Sequence, residues 1–280
     1  MPSYRPIIII GMHRSGTSML AELLRQAGIY MGRRLGRNCE ALHFRNLNRW
    51  LLQQAGGSWI HPGPFREILA DPPSRDLARD YLALKVTGPG ALGFWGVRGL
   101  FGSPGPWGWK DPRNTFTLPT WLELFPEARV IHMERHGVDV AESLYVRRSR
   151  AIRRSREHFR RRRFLYRFVA KRTDLLDAPR LARREEALAL WEEYMAAGRE
   201  QMAGLGDRGL SLAYEDFLQD PADGLARVAE HCDLELSDKR IREMTRELDP
   251  QRAFAYRASP ELREVAAENA DRLAAFGYGP

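Results

Sequence analysis

The sequence predicts an α/β fold in which a P-loop-like parallel sheet is flanked by helices. Residues 7–10 are four consecutive isoleucines, a pattern typical of a parallel strand buried on both faces. A glycine-rich turn follows, and residues 17–27 then have the apolar spacing of a helix that ends at Gly28. Strand patterns at residues 129–133 and 209–214 are also followed by helical patterns. This alternation predicts a parallel sheet with right-handed crossovers.

The other segments are predicted as helices and loops. Apolar spacing predicts further helices over residues 45–54, 115–124, 187–205 and 225–232, and one that starts at Val138. Residues 55–80 and 88–108 are rich in Gly and Pro, so both are predicted as loops. Residues 81–87, between these loops, are predicted as a short strand.

A chain of 280 residues, 44% of them hydrophobic, can bury the core of one α/β domain. We therefore predict a single domain over residues 1–280, with a helical basic insertion at residues 148–185. No stretch reaches the roughly 18 apolar residues of a membrane span, and no signal-peptide pattern is seen. Cys39 and Cys232 have neither disulfide-framework nor metal-ligand spacing. These features predict a cytoplasmic protein without a transmembrane segment or a metal site.

Positive charge is concentrated in one segment. Residues 147–172 contain 13 basic residues and one acidic residue, Glu157. Because the whole chain has a net charge of +8, the remainder has a net charge of −4. Such a segment suits an anionic glycan, an acidic peptide, a nucleic acid or a membrane surface. A solvated basic helix with no specific partner is the alternative.

The turn after the first strand, residues 11–18, predicts a phosphate site. Gly11 and Gly16 have the spacing of a Walker A loop, in which backbone N–H groups and the next helix face a phosphate. Thr17 stands where a Walker loop has its lysine, and the cation is instead Arg14, inside the loop. This difference favours one phosphate bearing a transferable group over a triphosphate with Mg²⁺.

A second phosphate site is predicted at the end of the strand at residues 129–133. Arg135 follows that strand, at the edge where parallel sheets bind ligands. Ser143 and Arg147 lie four residues apart and so share one face of the next helix. The alternative is an ordinary strand–helix junction with solvated charges.

The two sites together resemble those of the sulfotransferase family, whose donor is 3′-phosphoadenosine 5′-phosphosulfate (PAPS). The family's first loop commonly reads P-R-S-G-T-T and binds the 5′-phosphosulfate. The matching residues here, with His in place of Pro, are His13, Arg14, Ser15, Gly16, Thr17 and Ser18. The family's second motif is a strand, an Arg and a Ser eight residues later, which bind the 3′-phosphate. Arg135 and Ser143 have that spacing.

Two more segments resemble the tyrosylprotein-sulfotransferase branch and its bacterial relatives. The sequence Trp-Lys-Asp-Pro-Arg at residues 109–113 resembles a K-D-P motif, which implies that Lys110 contacts the sulfate and the bridging oxygen. Tyr214 begins a motif whose tyrosine touches the donor, and Arg147 also fits that branch's donor site. The same resemblance implies Glu40 as the general base. His43 is the alternative, because its ordinary pKa is better matched to that role.

The resemblance implies a PAPS-dependent sulfotransferase with Arg14, Lys110 and Glu40 as catalytic residues and no metal. The acceptor would bear a hydroxyl group on a glycan, a small molecule or a peptide. Four tryptophans in the predicted loops could stack on such an acceptor or anchor the loops, namely Trp59, Trp95, Trp107 and Trp109. Two alternatives stay open: a Mg²⁺-dependent kinase with a degenerate Walker A loop, and a nucleic-acid-binding protein that uses residues 147–172.

Overall fold

The computed structural model describes residues 5–36, 38–96, 105–169 and 179–280. The chain divides into two compact units. The first comprises Met1–Arg135 and Tyr194–Ala255, and the second comprises His136–Glu193 and Tyr256–Pro280.

The first unit contains a four-stranded sheet in the order β2-β1-β3-β4. All neighbouring strands are parallel. The strands are β1 (Ile7–Ile10), β2 (Gly108–Lys110), β3 (Arg129–Glu134) and β4 (Gly209–Ala213). The predicted α/β fold with a parallel sheet flanked by helices is therefore confirmed.

Helices follow each strand and occupy most of the remaining chain. The helices of the first unit are α1 (Thr17–Gln26), α2 (Leu42–Gln54), α3 (Phe65–Ala70), α4 (Pro72–Thr87), α5 (Leu92–Trp95), α6 (Asn114–Leu124), α9 (Tyr214–Gln219), α10 (Pro221–His231) and α11 (Asp238–Thr245). The second unit has α7 (Gly137–Arg162), α12 (Pro260–Glu268) and α13 (Ala270–Ala274), and α8 (Arg184–Ala203) has residues in both.

The strand β1 lies at the centre of the core because its four isoleucines are buried on both faces. The apolar face of α1 packs in the same hydrophobic cluster through Leu20 and Leu24. The cluster continues to Ile131 of β3 and to Leu225 of α10. Burial of this kind stabilises the fold by about 25 cal/mol per Å² of apolar surface. It fixes the carboxyl ends of β1 and β3 side by side.

The edge strand β2 was not predicted, and it lies partly in the segment expected to be a loop. It has only three residues, and Gly108 pairs with Ile7 of β1. A Cβ atom at Gly108 would lie 2.2 Å from the backbone oxygen of Ile7, so only glycine allows this approach. The other part of that segment includes α5, while residues 97–104 lie outside the described residues.

The predictions for residues 55–80 and 81–87 were wrong. Residues 65–70 form α3, and α4 continues to Thr87, so the expected loop and the expected strand are both mainly helical. Pro72 is in the first turn of α4, where its missing N–H costs nothing, and the Asp71 side chain caps the helix by accepting from Ser74 N. Proline therefore begins a helix here rather than breaking one.

The second unit is built around the start of α7 and the first half of α8. A Cβ atom at Gly137 would lie 2.7 Å from Leu188 and 2.9 Å from Trp191, so this glycine lets the helices approach closely. The His136 ring caps α7 by accepting from Val138 N. The predicted insertion at residues 148–185 includes residues 170–178, which lie outside the described residues, and its bounds stay a prediction.

The helices and the two cysteines bear on the predicted cellular location of the protein. Within the described ranges, no helix is both long enough and apolar enough to cross a membrane. Cys39 and Cys232 are both free thiols, and burial raises the pKa of Cys232 to about 12. The expected cytoplasmic location stays a prediction.

We predict that acid destabilises the fold through His132 of β3. Burial lowers the pKa of this imidazole from 6.5 to about 4. Between these values the unfolded chain binds a proton that the folded protein does not, so stability falls as the pH falls. The loss from this group should be about 3 kcal/mol between pH 7 and pH 4, as measured by urea unfolding.

The difference in unfolding free energy between pH 7 and pH 4 should therefore shrink by this amount in His132→Gln. His61 is exposed, and His61→Gln provides the control. Equal pH dependence in wild type and His132→Gln would contradict the assignment.

Candidate active site

The loop between β1 and α1 is shaped by its two glycines. Gly11 has φ 129° and Gly16 has φ 96°, values that favour glycine. A Cβ atom at Gly11 would lie 2.4 Å from the oxygen of Met133, and one at Gly16 would lie 2.3 Å from the ring of Tyr214. Ser15 is buried and its hydroxyl donates to Met12 O over 2.7 Å, which closes the turn inside the loop.

The start of α1 lies at the end of this loop. Thr17 is the first residue of the helix, and Ser18 follows it. Their N–H groups have no acceptor within the helix, and the helix dipole adds a partial positive charge at this end. This arrangement is suited to bind an anion.

Three arginines surround the loop at the carboxyl end of the sheet. Arg14 is exposed and has the left-handed φ of 75°. The Arg135 side chain donates to Arg14 O and to Arg252 O, each over 3.1 Å. Although Arg14 is exposed as a whole, partial burial of its guanidinium, together with the charges of Arg135 and Arg252, lowers the pKa of Arg14. Repulsion among these cations is relieved when an anion binds between them.

Tyr214 connects the loop to Arg135. It is the first residue of α9, directly after β4, and it is buried. The Arg135 guanidinium lies over its ring at 4.5 Å, which is cation–π geometry. The same ring packs against Gly16. Tyr214 therefore supports both predicted phosphate-binding elements of the first unit.

Lys110 lies beside the start of α1. It ends β2, its side chain is only 1% exposed, and its Nζ lies 3.2 Å from Ser18 Oγ and 3.4 Å from Glu40 Oε1. Burial lowers the pKa of this ammonium, and Glu40 and Asp111 oppose that shift. Side chains from three separate segments of the chain, namely Ser18, Glu40 and Lys110, thus meet at one point.

The structure separates the two candidates for the general base. Glu40 is buried beside Lys110, and Gly36 N donates to Glu40 O over 2.8 Å, which closes the turn that places it. His43 lies in the first turn of α2 among aromatic residues, with its ring 5.4 Å from that of Phe44. Burial lowers the pKa of His43. Glu40 is the one in contact with Lys110.

A buried hydrogen-bond network supports Lys110 from behind. The Asn48 amide is fully buried and donates to Asp111 Oδ2 over 3.0 Å and to Asn114 Oδ1 over 2.7 Å. Its oxygen accepts from Thr117 Oγ1 over 2.8 Å and from Trp121 Nε1 over 2.7 Å. All four hydrogen bonds of the amide are made, which joins α2 to Asp111, directly after β2, and to α6. No spacing pattern in the sequence predicts this network.

His13 and the four predicted tryptophans pack against other aromatic rings. His13 is buried, with its ring 4.4 Å from that of Trp59 in an edge-on contact. Trp107 and Trp109 are core residues whose rings are 5.7 Å apart, and Trp95 packs on Trp107 at 4.8 Å. These tryptophans anchor the fold rather than form an open stacking surface.

Ser143 and Arg147 belong to the second unit. Both lie on α7 and both are half-buried. Their predicted role at a second phosphate, together with Arg135, stays a prediction. Arg252 is a further cation near the loop that no sequence motif indicates, because it comes from a short 3₁₀ turn far along the chain.

The comparisons with known proteins identify the family. Residues 6–238 match the family model described as "Sulfotransferase family". The chain therefore belongs to the sulfotransferase family, and the predicted resemblance and the enzyme class are confirmed. Membership implies PAPS as the donor in general terms. A search of curated proteins finds no match.

Solved structures of sulfotransferases are similar to this chain. A sulfotransferase domain from the curacin biosynthetic pathway has 15% identity and a TM-score of 0.53, with 96% of this chain and 98% of that chain covered. A sulfotransferase from Alicyclobacillus acidocaldarius has 17% identity and a TM-score of 0.49, covering 98% and 95%. One from Mycobacterium avium has 18% identity and a TM-score of 0.47, covering 97% and 77%. The first of these supports the fold.

We predict that Asn48→Ala destabilises the protein and weakens the site. The substitution removes the acceptor of Trp121 Nε1 and the Asn48 donor to Asp111 Oδ2, both in the interior. The unfolding free energy should fall by about 2–4 kcal/mol, as measured by urea denaturation. Asn46 is exposed on the same helix, so Asn46→Ala is the matched control. If both variants unfold alike, the network does not have the proposed role.

Proposed function

We propose that this sulfotransferase uses PAPS as donor and transfers the sulfuryl group to a hydroxyl group of its acceptor. The main support for this proposal is the position of Lys110. Its buried ammonium lies between Ser18, at the start of α1, and Glu40, a carboxylate able to act as a base. A phosphate-binding loop, a cation and a base are the three components that sulfuryl transfer requires.

The donor would be held by the loop and the arginines around it. The N–H groups at residues 16–18 and the Arg14 guanidinium suit the 5′-phosphosulfate. Arg135 suits the 3′-phosphate, and the family resemblance adds Ser143 and Arg147 to that role. The grouping of Arg14, Arg135 and Arg252 at one edge of the sheet supports the fit, because an anion bound there offsets the repulsion among these cations. His13, Ser15 and Tyr214 would keep the loop in shape.

Lys110 and Arg14 are proposed to stabilise the negative charge that develops on the leaving phosphate. Bound PAPS supplies an activated sulfuryl group joined to that phosphate through a bridging oxygen. Lys110 is enclosed in protein, where water screens its charge less than in solution. Its contacts with Ser18 and Glu40 hold the ammonium in place before the reaction begins.

Glu40 is proposed to accept the proton of the acceptor hydroxyl. A carboxylate beside a fixed cation is held in one orientation, so it costs little reorganisation when the proton moves. The acceptor itself is proposed to be a hydroxyl-bearing glycan, small molecule or peptide, and the enzyme to work in the cytoplasm. The buried tryptophans give no support to an aromatic acceptor.

The kinase alternative has less support. A kinase loop needs its lysine on the β and γ phosphates, and Thr17 occupies that position. The family match to residues 6–238 favours sulfuryl transfer. The lysine of this site, Lys110, lies instead on the neighbouring strand β2, beside the proposed base Glu40, and not inside the loop as in a kinase.

Calorimetry tests the donor. We expect 3′,5′-adenosine bisphosphate to bind and ATP to bind far more weakly. Arg14→Ala should weaken bisphosphate binding by about 10- to 100-fold, because a hydrogen bond to a charged group contributes about 1.5–3 kcal/mol. The exposed Arg246 provides a control, and Arg246→Ala should bind as wild type does. Absence of bisphosphate binding, or tighter binding of ATP, would overturn the proposal.

The catalytic pair is tested by transfer from PAPS to a panel of phenols and sugar alcohols, measured with the best acceptor of the wild type. Lys110→Ala and Glu40→Gln should each lower kcat by about 10²–10³-fold. His43→Gln should stay within a few-fold of wild type. The assignment of the base fails if His43→Gln loses activity while Glu40→Gln keeps it.

A further inference from the structure

The second half of α7 differs from the rest of the described chain in its exposure. The last buried residue of this helix is Leu144, and no residue from 145 to 169 is buried. The helix nevertheless continues to Arg162, and a 3₁₀ turn, Leu165–Arg167, follows. We call residues 147–169 the basic arm. Packing against the interior does not explain its sequence.

The basic arm contains eleven arginines and one glutamate. Cations favour the end of a helix, but this effect is confined to about the last turn. Farther back, arginines four residues apart face each other, as in Arg150 with Arg154 and Arg156 with Arg160. Like-charge pairs at this spacing destabilise a helix. An anionic partner would remove this repulsion and stabilise the helix.

The basic arm also exposes large apolar side chains. Phe164 is 69% exposed and Phe168 is 75% exposed, and Phe159, Leu165 and Val169 are about half exposed. Five of the eight exposed large hydrophobic residues noted in the described ranges lie in these few turns. Exposed apolar clusters of this kind mark interaction surfaces.

The apolar residues are arranged together among the arginines. Phe159 and Tyr166 stack with their ring centres 5.7 Å apart, and Phe164 and Phe168 meet edge to face at 5.6 Å. Ile152 and Phe159 are seven residues apart, so they share one face of α7. The partner must therefore accept apolar groups and cations at the same place.

We infer that the basic arm binds the surface of a membrane that contains anionic lipids. The arginines match the phosphate headgroups, and the phenylalanines and aliphatic residues match the acyl boundary below them. A nucleic acid or a sulfated glycan would bind the arginines but has no place for exposed leucine and valine. The attachment is peripheral, since no described helix can span the bilayer. It is independent of the donor and of the reaction at Lys110.

Vesicle sedimentation of the full chain tests the inference. We compare vesicles of phosphatidylglycerol mixed equally with phosphatidylcholine against vesicles of phosphatidylcholine alone. The protein should sediment with the anionic vesicles only, and less so as salt is raised. Circular dichroism should show more helix when anionic vesicles are present, because the repulsion among arginines is relieved.

Two variants separate charge from apolar contact. Replacing Arg153, Arg160 and Arg161 by Gln should weaken vesicle binding on the order of 100-fold, about fivefold for each charge. Phe164→Ser with Phe168→Ser should also weaken it by at least tenfold. The matched controls replace exposed residues of the first unit: Arg227, Lys239 and Arg242 by Gln, and Leu77 and Leu84 by Ser.

All variants should bind 3′,5′-adenosine bisphosphate as wild type does, which shows that they are folded. Heparin and single-stranded DNA are tested in parallel as competing polyanions. Binding to either polyanion without binding to vesicles would overturn the inference. Sensitivity to the arginine changes but not to the phenylalanine changes would overturn it as well, and so would an absence of vesicle binding.

Discussion

Lys110 is a charged side chain inside the protein, and the structure around it can be understood from what its burial requires. An ammonium removed from water costs several kcal/mol unless partners replace the lost hydration. Ser18 and Glu40 provide these partners, and Asp111 adds a nearby negative charge. The start of α1 and the turn before α2 must therefore both reach β2. Removal of either partner would leave this buried charge with less compensation.

The backbone that presents Lys110 needs equally good support. The strand β2 has only three residues and one neighbour in the sheet, so its own ladder holds it weakly. The Asn48 network adds hydrogen bonds from α2 and α6 directly behind it. Asn114 Nδ2 also donates to Ile9 O, which extends this support to β1. The positioning of the proposed catalytic cation thus depends on side-chain amides of neighbouring helices.

The parts of the fold that the sequence predicted are those whose signals are local. Four isoleucines, a glycine-rich turn and an apolar helical period sit within residues 7–28, so β1, the loop and α1 could be found from short-range patterns. The strand β2 could not, because its three residues are a strand only through pairing with Ile7. The helix α4 was not predicted because proline usually ends a helix, whereas Pro72 lies in the first turn, where it is tolerated.

The site shows the same difference between residues in local motifs and residues that act through distant contacts. Arg14 and Lys110 lie in short motifs, whereas Asn48 and Arg252 act through neighbours that are distant in the chain. No spacing rule links residue 48 to residues 111 and 121. The positive charge of the basic arm could be read from the sequence. That its apolar residues are exposed to solvent could be seen only in the structure.

The contact between Gly16 and Tyr214 has a consequence for how the family can diversify. The tyrosine ring fills the space that a side chain at residue 16 would need, and the Arg135 guanidinium lies over the same ring. A side chain at residue 16 would therefore need both a smaller residue at position 214 and a left-handed backbone that side chains rarely adopt. A smaller residue at 214 would also remove the ring that lies beneath the Arg135 guanidinium, so the loop cannot gain a side chain here without weakening the support of that arginine.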